Sequence, residues 1–192
     1  MKLTSPKTYR VVRFALEKGV FKQTEARDAC GVAFGLANRV TNWLVARGYV
    51  AKEPGGYRVI APAALAQAFS YFRRMEELKT AFFDVGTSPA ALKKLFKEHD
   101  AVLCLTSALQ HYDDYFRDPA IHVYATPALV TALKQLPPGR TRIEVYADDL
   151  QEPKDFVKEK GVVVTGRIRT LIDLACSQRA YAADRLVKKT WG

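Results

Sequence analysis

Residues 1–60 alternate short stretches of helical apolar spacing with glycine stops. Val11, Val12, Ala15 and Leu16 share one face of a helix expected over 6–18, with Ser5 as its cap, Pro6 at the first helical position and Gly19 as its end. Val20 and Phe21 form a brief apolar lead-in. A short helix is expected over 25–30, capped by Thr24, with Glu25 and Asp28 near its positive end and Gly31 turning the chain. A third helix is expected over 33–47. Its Leu36, Val40 and Leu44 face the interior with Trp43 beside them, and Gly48 stops it. Segments 49–52 and 57–60 then read as two strands around Glu53-Pro54-Gly55-Gly56. Helix, helix, turn, helix and hairpin is the order of a winged helix-turn-helix.

Residues 61–79 carry Leu65, Phe69, Phe72 and Met75 at helical spacing and read as one connecting helix, apolar enough for a dimer surface. From residue 81 the period changes. AFFDVG, IHVYATP, RTRIEVYADD and GVVVTG read as strands; SPAALKKLFKEH (capped by Ser88), ALVTALKQL, RIRTLIDLACSQ and AYAADRLVKK read as helices. AVLCLTSALQHY begins apolar and is expected to be helical through Tyr112. The expected fold is therefore α/β (α+β): a winged helix-turn-helix over 1–60, a connecting helix over 61–79, and a small mixed α/β domain over 80–192.

Charge sharpens this picture. The chain of 192 residues has a formal net charge of +10. Residues 1–60 hold eleven Lys and Arg against four acids, a net of +7; the rest hold nineteen against sixteen, a net of +3. The excess thus sits on the helix-turn-helix segment, as a partner made of phosphates requires. Cys30, Cys104 and Cys176 are far apart and form no CxxC, so reduced, buried thiols are expected rather than a disulfide framework. The first ten residues lack the apolar core of a secretory signal, and no run approaches a membrane span. A cytoplasmic protein without a membrane partner is expected.

Candidate chemistry follows from the third helix. Its polar face carries Gly35, Asn38, Arg39 and Asn42; Asn and Arg are the residue types that pair bidentately with adenine and guanine edges, and Gly35 lets the backbone approach the duplex. Lys22, Arg27, Lys52 and Arg58 are placed to meet phosphates. On the last helix, Arg185, Lys188 and Lys189 offer a second basic surface. His111, Asp113, Asp114, Asp118 and His122 do not share one face, so neither a metal nor another cofactor is expected. No G-x-S-x-G, P-loop or H-E-x-x-H occurs, and I-E-V-Y around Glu144 lacks the lysine of a restriction-type nuclease. A non-enzymatic DNA-binding regulator is expected. The alternatives are a DNA-processing enzyme recruited by its winged helix and a winged helix that binds protein.

In the second half, CLTSALQHY, IHVYATP, RIEVYADD and VVVTGRIRTLIDLA follow in that order and end in Val164-Thr165-Gly166-Arg167-Ile168-Arg169-Thr170-Leu171-Ile172-Asp173-Leu174. This series, across about 110 residues, resembles the AbiEi family of antitoxins and transcriptional regulators of type IV toxin–antitoxin systems. The resemblance implies autorepression through operator DNA, often inverted repeats, which suits a homodimer. It also implies a nucleotidyltransferase-like toxin as a functional partner without a stable complex. Ser107-Ala108-Leu109 departs from the commoner form of its segment. Within the closing motif, Arg167, Arg169 and Asp173 read either as an anion site or as a structural Arg–Asp pair at i,i+4, with Thr165 or Thr170 capping the helix.

Overall fold

The computed structural model describes residues 1–159 and 161–192. The chain is a mixed α/β protein of two compact units. The first takes in Met1–Arg73, Leu150–Glu152 and Trp191; the second takes in Arg74–Asp149 and Pro153–Thr190, with Gly192.

In the first unit, α1 (Pro6–Lys18), β1 (Val20–Phe21), α2 (Gln23–Cys30), α3 (Phe34–Ala46), β2 (Val50–Glu53) and β3 (Gly56–Val59) follow in order. Pro6 opens α1, and Gly19 closes it at φ 70. The helix over α2 starts two residues earlier than expected, and Thr24 is not its cap. Glu25 draws the start back, because its carboxylate accepts the Lys22 N–H at 3.0 Å. Val20 and Phe21 are more than a lead-in: they pair antiparallel with Tyr57 and Arg58, making a three-stranded sheet in the order β1-β3-β2. Glu53 opposes Gly56, so Pro54 and Gly55 form the hairpin tip, Gly55 at φ 91 where a side chain would be strained.

The core of this unit joins Tyr9, Val12 and Leu16 of α1 to Phe21 of β1 and to Ala37, Val40 and Leu44 of α3. Leu36 is only half-buried; the inner stripe of α3 is Ala37, Val40, Thr41 and Leu44, with the Thr41 hydroxyl donating to the Ala37 carbonyl at 2.8 Å. The expected single helix over 61–79 is broken into α4 (Pro62–Gln67), a 3₁₀ turn (Ala68–Tyr71) and α5 (Met75–Leu78). Ser70 Oγ donates to the Gln67 carbonyl at 2.8 Å and competes for a helical acceptor. Lys79 is already a strand residue opposite Tyr146.

The second unit is built on a six-stranded sheet. Its strands are β4 (Lys79–Val85), β5 (Val102–Leu103), β6 (Ile121–Tyr124), β7 (Thr141–Tyr146), β8 (Phe156–Glu159) and β9 (Val162–Thr165), in the order β4-β7-β6-β5-β9-β8. The β6–β7 and β5–β9 pairs are parallel and the others antiparallel. Helices α6 (Pro89–Glu98) and α8 (Pro127–Lys134) bury Leu92, Phe96, Leu129 and Leu133 against Val123, Ile143 and Val145. Ser88 caps α6, its Oγ accepting from the Ala91 N–H at 3.2 Å. The remaining helices are α7 (Leu105–Leu109), α9 (Arg167–Ala175) and α10 (Asp184–Trp191).

Three expectations fail here. The helix expected over AYAADRLVKK opens as a 3₁₀ turn (Ala180–Ala183), and only α10 is α-helical. The segment 101–112 is not one helix: Val102 and Leu103 are held between β6 and β9, so strand pairing on both sides overrides helical spacing. Strand β8 was not foreseen; it pairs with β9 alone, and two of its four residues are exposed, leaving little apolar signal. All three cysteines are free and buried. No helix among the described residues is long and apolar enough to cross a membrane.

Candidate nucleic-acid interface

The outer face of α3 carries Phe34, Gly35, Asn38, Arg39 and Asn42, spaced so that they line one side of the helix. Gly35, Arg39 and Asn42 are exposed, and Asn38 is half-buried. Asn38 Oδ1 accepts two hydrogen bonds, from Gln23 Nε2 of α2 at 3.1 Å and from Asn42 Nδ2 at 3.0 Å. An adenine edge needs an acceptor and a donor from one amide. Asn38 has committed its acceptor, so its position braces α2 and α3. Asn42 keeps its Oδ1 and one N–H, which is the pair required.

The expected phosphate ligands divide into two groups. Arg27 holds its neighbour Asp28 through two bonds, at 2.6 and 2.9 Å, and Arg58 holds Glu53 across the hairpin at 2.7 Å. These hydrogen bonds press the Asp28 and Glu53 carboxyls below the ordinary range and raise both guanidiniums. Lys22, Lys52 and Arg39 have no acidic partner among the described residues. Lys22 and Lys52 line a groove of about 280 Å³ with Phe34, Gly56, Tyr57 and Glu53, whose carboxylate is held by Arg58, between the start of α3 and the hairpin. Arg39 lines a second hollow, of about 480 Å³, with Lys2, Ser5, Thr8 and Trp43. The outer face of α3 thus runs from one cationic hollow to another.

Phe34 is a residue that sequence reasoning passed over. It is 46% exposed at the first position of α3, beside the groove. A large apolar residue beside Gly35 and four positions before Asn38, on the polar side of the helix, was the available signal. An exposed aromatic there suits contact with a thymine methyl. Lys2 was equally unmarked, because nothing local ties it to Arg39.

Two polar clusters lie in the second unit. Arg169 is fully buried. Its Nε donates to Asp173 at 2.9 Å, and its other nitrogens reach Asp148 at 3.0 Å, Asp155 at 3.4 Å, Asp149 at 3.6 Å and the Tyr124 hydroxyl at 2.9 Å. The i,i+4 Arg–Asp pair is present, but it stands among several contacts that Arg169 makes to acids from other segments. Neither threonine caps α9: Gly166 holds that position, while Thr170 Oγ1 donates to the Thr165 carbonyl at 3.0 Å. Arg167 lies apart, over the Tyr112 ring at 5.6 Å.

His122 is buried between Asp118 (3.3 Å) and Glu144 (3.4 Å), with the Tyr146 hydroxyl donating to Glu144 at 2.7 Å. Arg179 and Lys79 close the ring on Asp118 and Glu144 at 3.0 and 3.1 Å. Burial, and after it the charge of Arg179, drives the His122 pKa down against the pull of the two carboxylates, so the imidazole is neutral at pH 7. No group of three or more His, Cys, Asp or Glu among the described residues could hold a metal ion. Of the last-helix cations, Arg185 and Lys189 are drawn to buried Asp113, at 3.0 and 3.7 Å. A scan against protein-family models and searches of curated proteins and of solved structures find no match to this chain.

Proposed function

We propose that the first unit is a winged helix-turn-helix that reads duplex DNA, and that the protein is a sequence-specific transcriptional regulator rather than an enzyme. The observation that carries this reading is the convergence of Lys22, Arg39 and Lys52, none with an acidic partner among the described residues, along the exposed side of α3. Cations that form no ion pair, on either side of a helix, suit the phosphates that flank a major groove. Between them, Arg39 and Asn42 read guanine and adenine edges, Phe34 meets a thymine methyl, and Gly35 admits the backbone. Arg27 and Arg58 join only where a phosphate displaces Asp28 or Glu53. The site of action is the cytoplasm.

The closing motif from Val164 to Leu174 supports an AbiEi-like antitoxin that represses its own promoter. In that setting a homodimer binds inverted repeats, and a nucleotidyltransferase-like toxin is opposed without a stable complex.

The test is selection of bound fragments from the source genome, followed by anisotropy titration of the best fragment. Arg39→Ala and Asn42→Ala should each cost about 1–3 kcal/mol and relax preference at separate positions. The salt dependence should have a slope of about −3 or steeper, set by the three cations without acidic partners. Unchanged affinity and unchanged sequence preference in both variants would sink the proposal.

A further inference from the structure

A hollow of about 230 Å³ lies wholly within the second unit, between α6 and the three strands β5, β9 and β8 at one side of the sheet. Its floor is apolar. Phe96 comes from α6, Leu103 from β5, and Val162 and Val163 from β9; the last three are only half-buried, so apolar surface remains in contact with water. Its rim is cationic. Lys97 of α6 and Lys158 of β8 stand on it, and neither has an acidic partner among the described residues. One acid, Asp100, shares the rim at φ 51, the left-handed conformation that ends α6. Gly161, at φ 81, also lines the hollow and carries no side chain to fill it.

From this arrangement we infer that the second unit binds a small organic anion: a compact apolar body bearing one carboxylate. The apolar floor gains by losing water to the body of the ligand. Lys97 and Lys158 supply charge-assisted donors to the carboxylate, and Asp100 accepts from a hydroxyl or amine where the ligand has one. The volume lies below the roughly 300–1,000 Å³ of pockets for drug-sized ligands, which limits the occupant to roughly a dozen non-hydrogen atoms. A nucleic acid strand satisfies the lysines but leaves the apolar floor wet, so a small molecule fits better. The inference stands apart from the DNA reading, because every residue in it belongs to the other unit.

The experiment is an amide NMR titration of the full chain with 2-naphthoate, set beside uncharged 2-naphthamide, inorganic phosphate and a short DNA duplex. Saturable shifts are expected at Phe96, Leu103, Val162 and Val163 with 2-naphthoate. Affinity should fall about tenfold for 2-naphthamide and for Lys97→Gln/Lys158→Gln, two exposed substitutions that leave the fold intact. Absence of saturable shifts at those four residues overturns the inference. So does equal binding of the amide, undiminished binding by the double variant, or a response there to phosphate or DNA that matches or exceeds the response to 2-naphthoate.

Discussion

Replacement of Arg169 by methionine removes a buried cation that contacts four carboxylates. Two of these, Asp155 and Asp173, have fully buried side chains; Asp148 and Asp149 keep 22% and 24% of theirs in water. Breaking a buried ion pair by deleting one partner costs about 3–5 kcal/mol, because the other charge stays buried without compensation. Methionine fills much of the volume, so the loss is electrostatic rather than a cavity. With two fully buried acids deprived of this guanidinium and two able to turn to solvent, the expected loss is about 4 kcal/mol, a factor of about a thousand in the opening equilibrium. Arg169→Lys keeps the charge and loses the fork that reaches several acceptors, so a smaller loss is expected. Fluorescence is the wrong probe, since both tryptophans, Trp43 and Trp191, belong to the first unit. Amide hydrogen exchange along β7 and α9 follows the second unit directly. A loss below about 1 kcal/mol in Arg169→Met would refute the reasoning and mean that solvent already screens these acids.

Three further outcomes are expected. Glu53→Gln frees Arg58 from its carboxylate partner, so the salt slope of DNA binding should steepen by about one unit; an unchanged slope would mean that Arg58 never meets a phosphate. Acid should destabilise the second unit. His122 is depressed below its ordinary 6.5, so its contribution is complete above that pH and is lost as pH falls through the folded value. Asp118 and Glu144, depressed below 3.8 and 4.5 by hydrogen bonds and neighbouring cations despite burial, lose theirs at lower pH still. Chemical denaturation of this unit at pH 7, 5.5 and 4 checks the order, and a flat profile would contradict it. Gly139→Ala should cost about 1–3 kcal/mol, because its methyl would overlap the backbone of Val85 and Gly86; wild-type stability would show that the two segments can part.

Local chemistry made much of the fold legible. Pro6 with Gly19 and Ser88 with Pro89 bound α1 and α6, and Pro54-Gly55 forms the hairpin tip, because caps and turns act within a few residues of themselves. The polar face of α3 could be read for the same reason: helical spacing alone decides which residues share a side. The pairing of Arg27 with Asp28 was also within reach, since the two are neighbours in sequence. Long-range pairing was not. Val102 and Leu103 carry ordinary helical spacing and become a strand only because β6 and β9 flank them. The polar half of α9 was visible in Arg169 and Asp173, whereas Asp148, Asp149, Asp155 and Tyr124 reach Arg169 from separate segments. By itself the sequence determined two regions of different period and charge, and the identity of the basic helix face. Tertiary structure decided which of those cations are neutralised, that Asn38 is a brace, and that Phe96, Lys97 and Lys158 meet around one hollow, because charges and apolar groups distant in the chain interact only once packing brings them within a few ångströms.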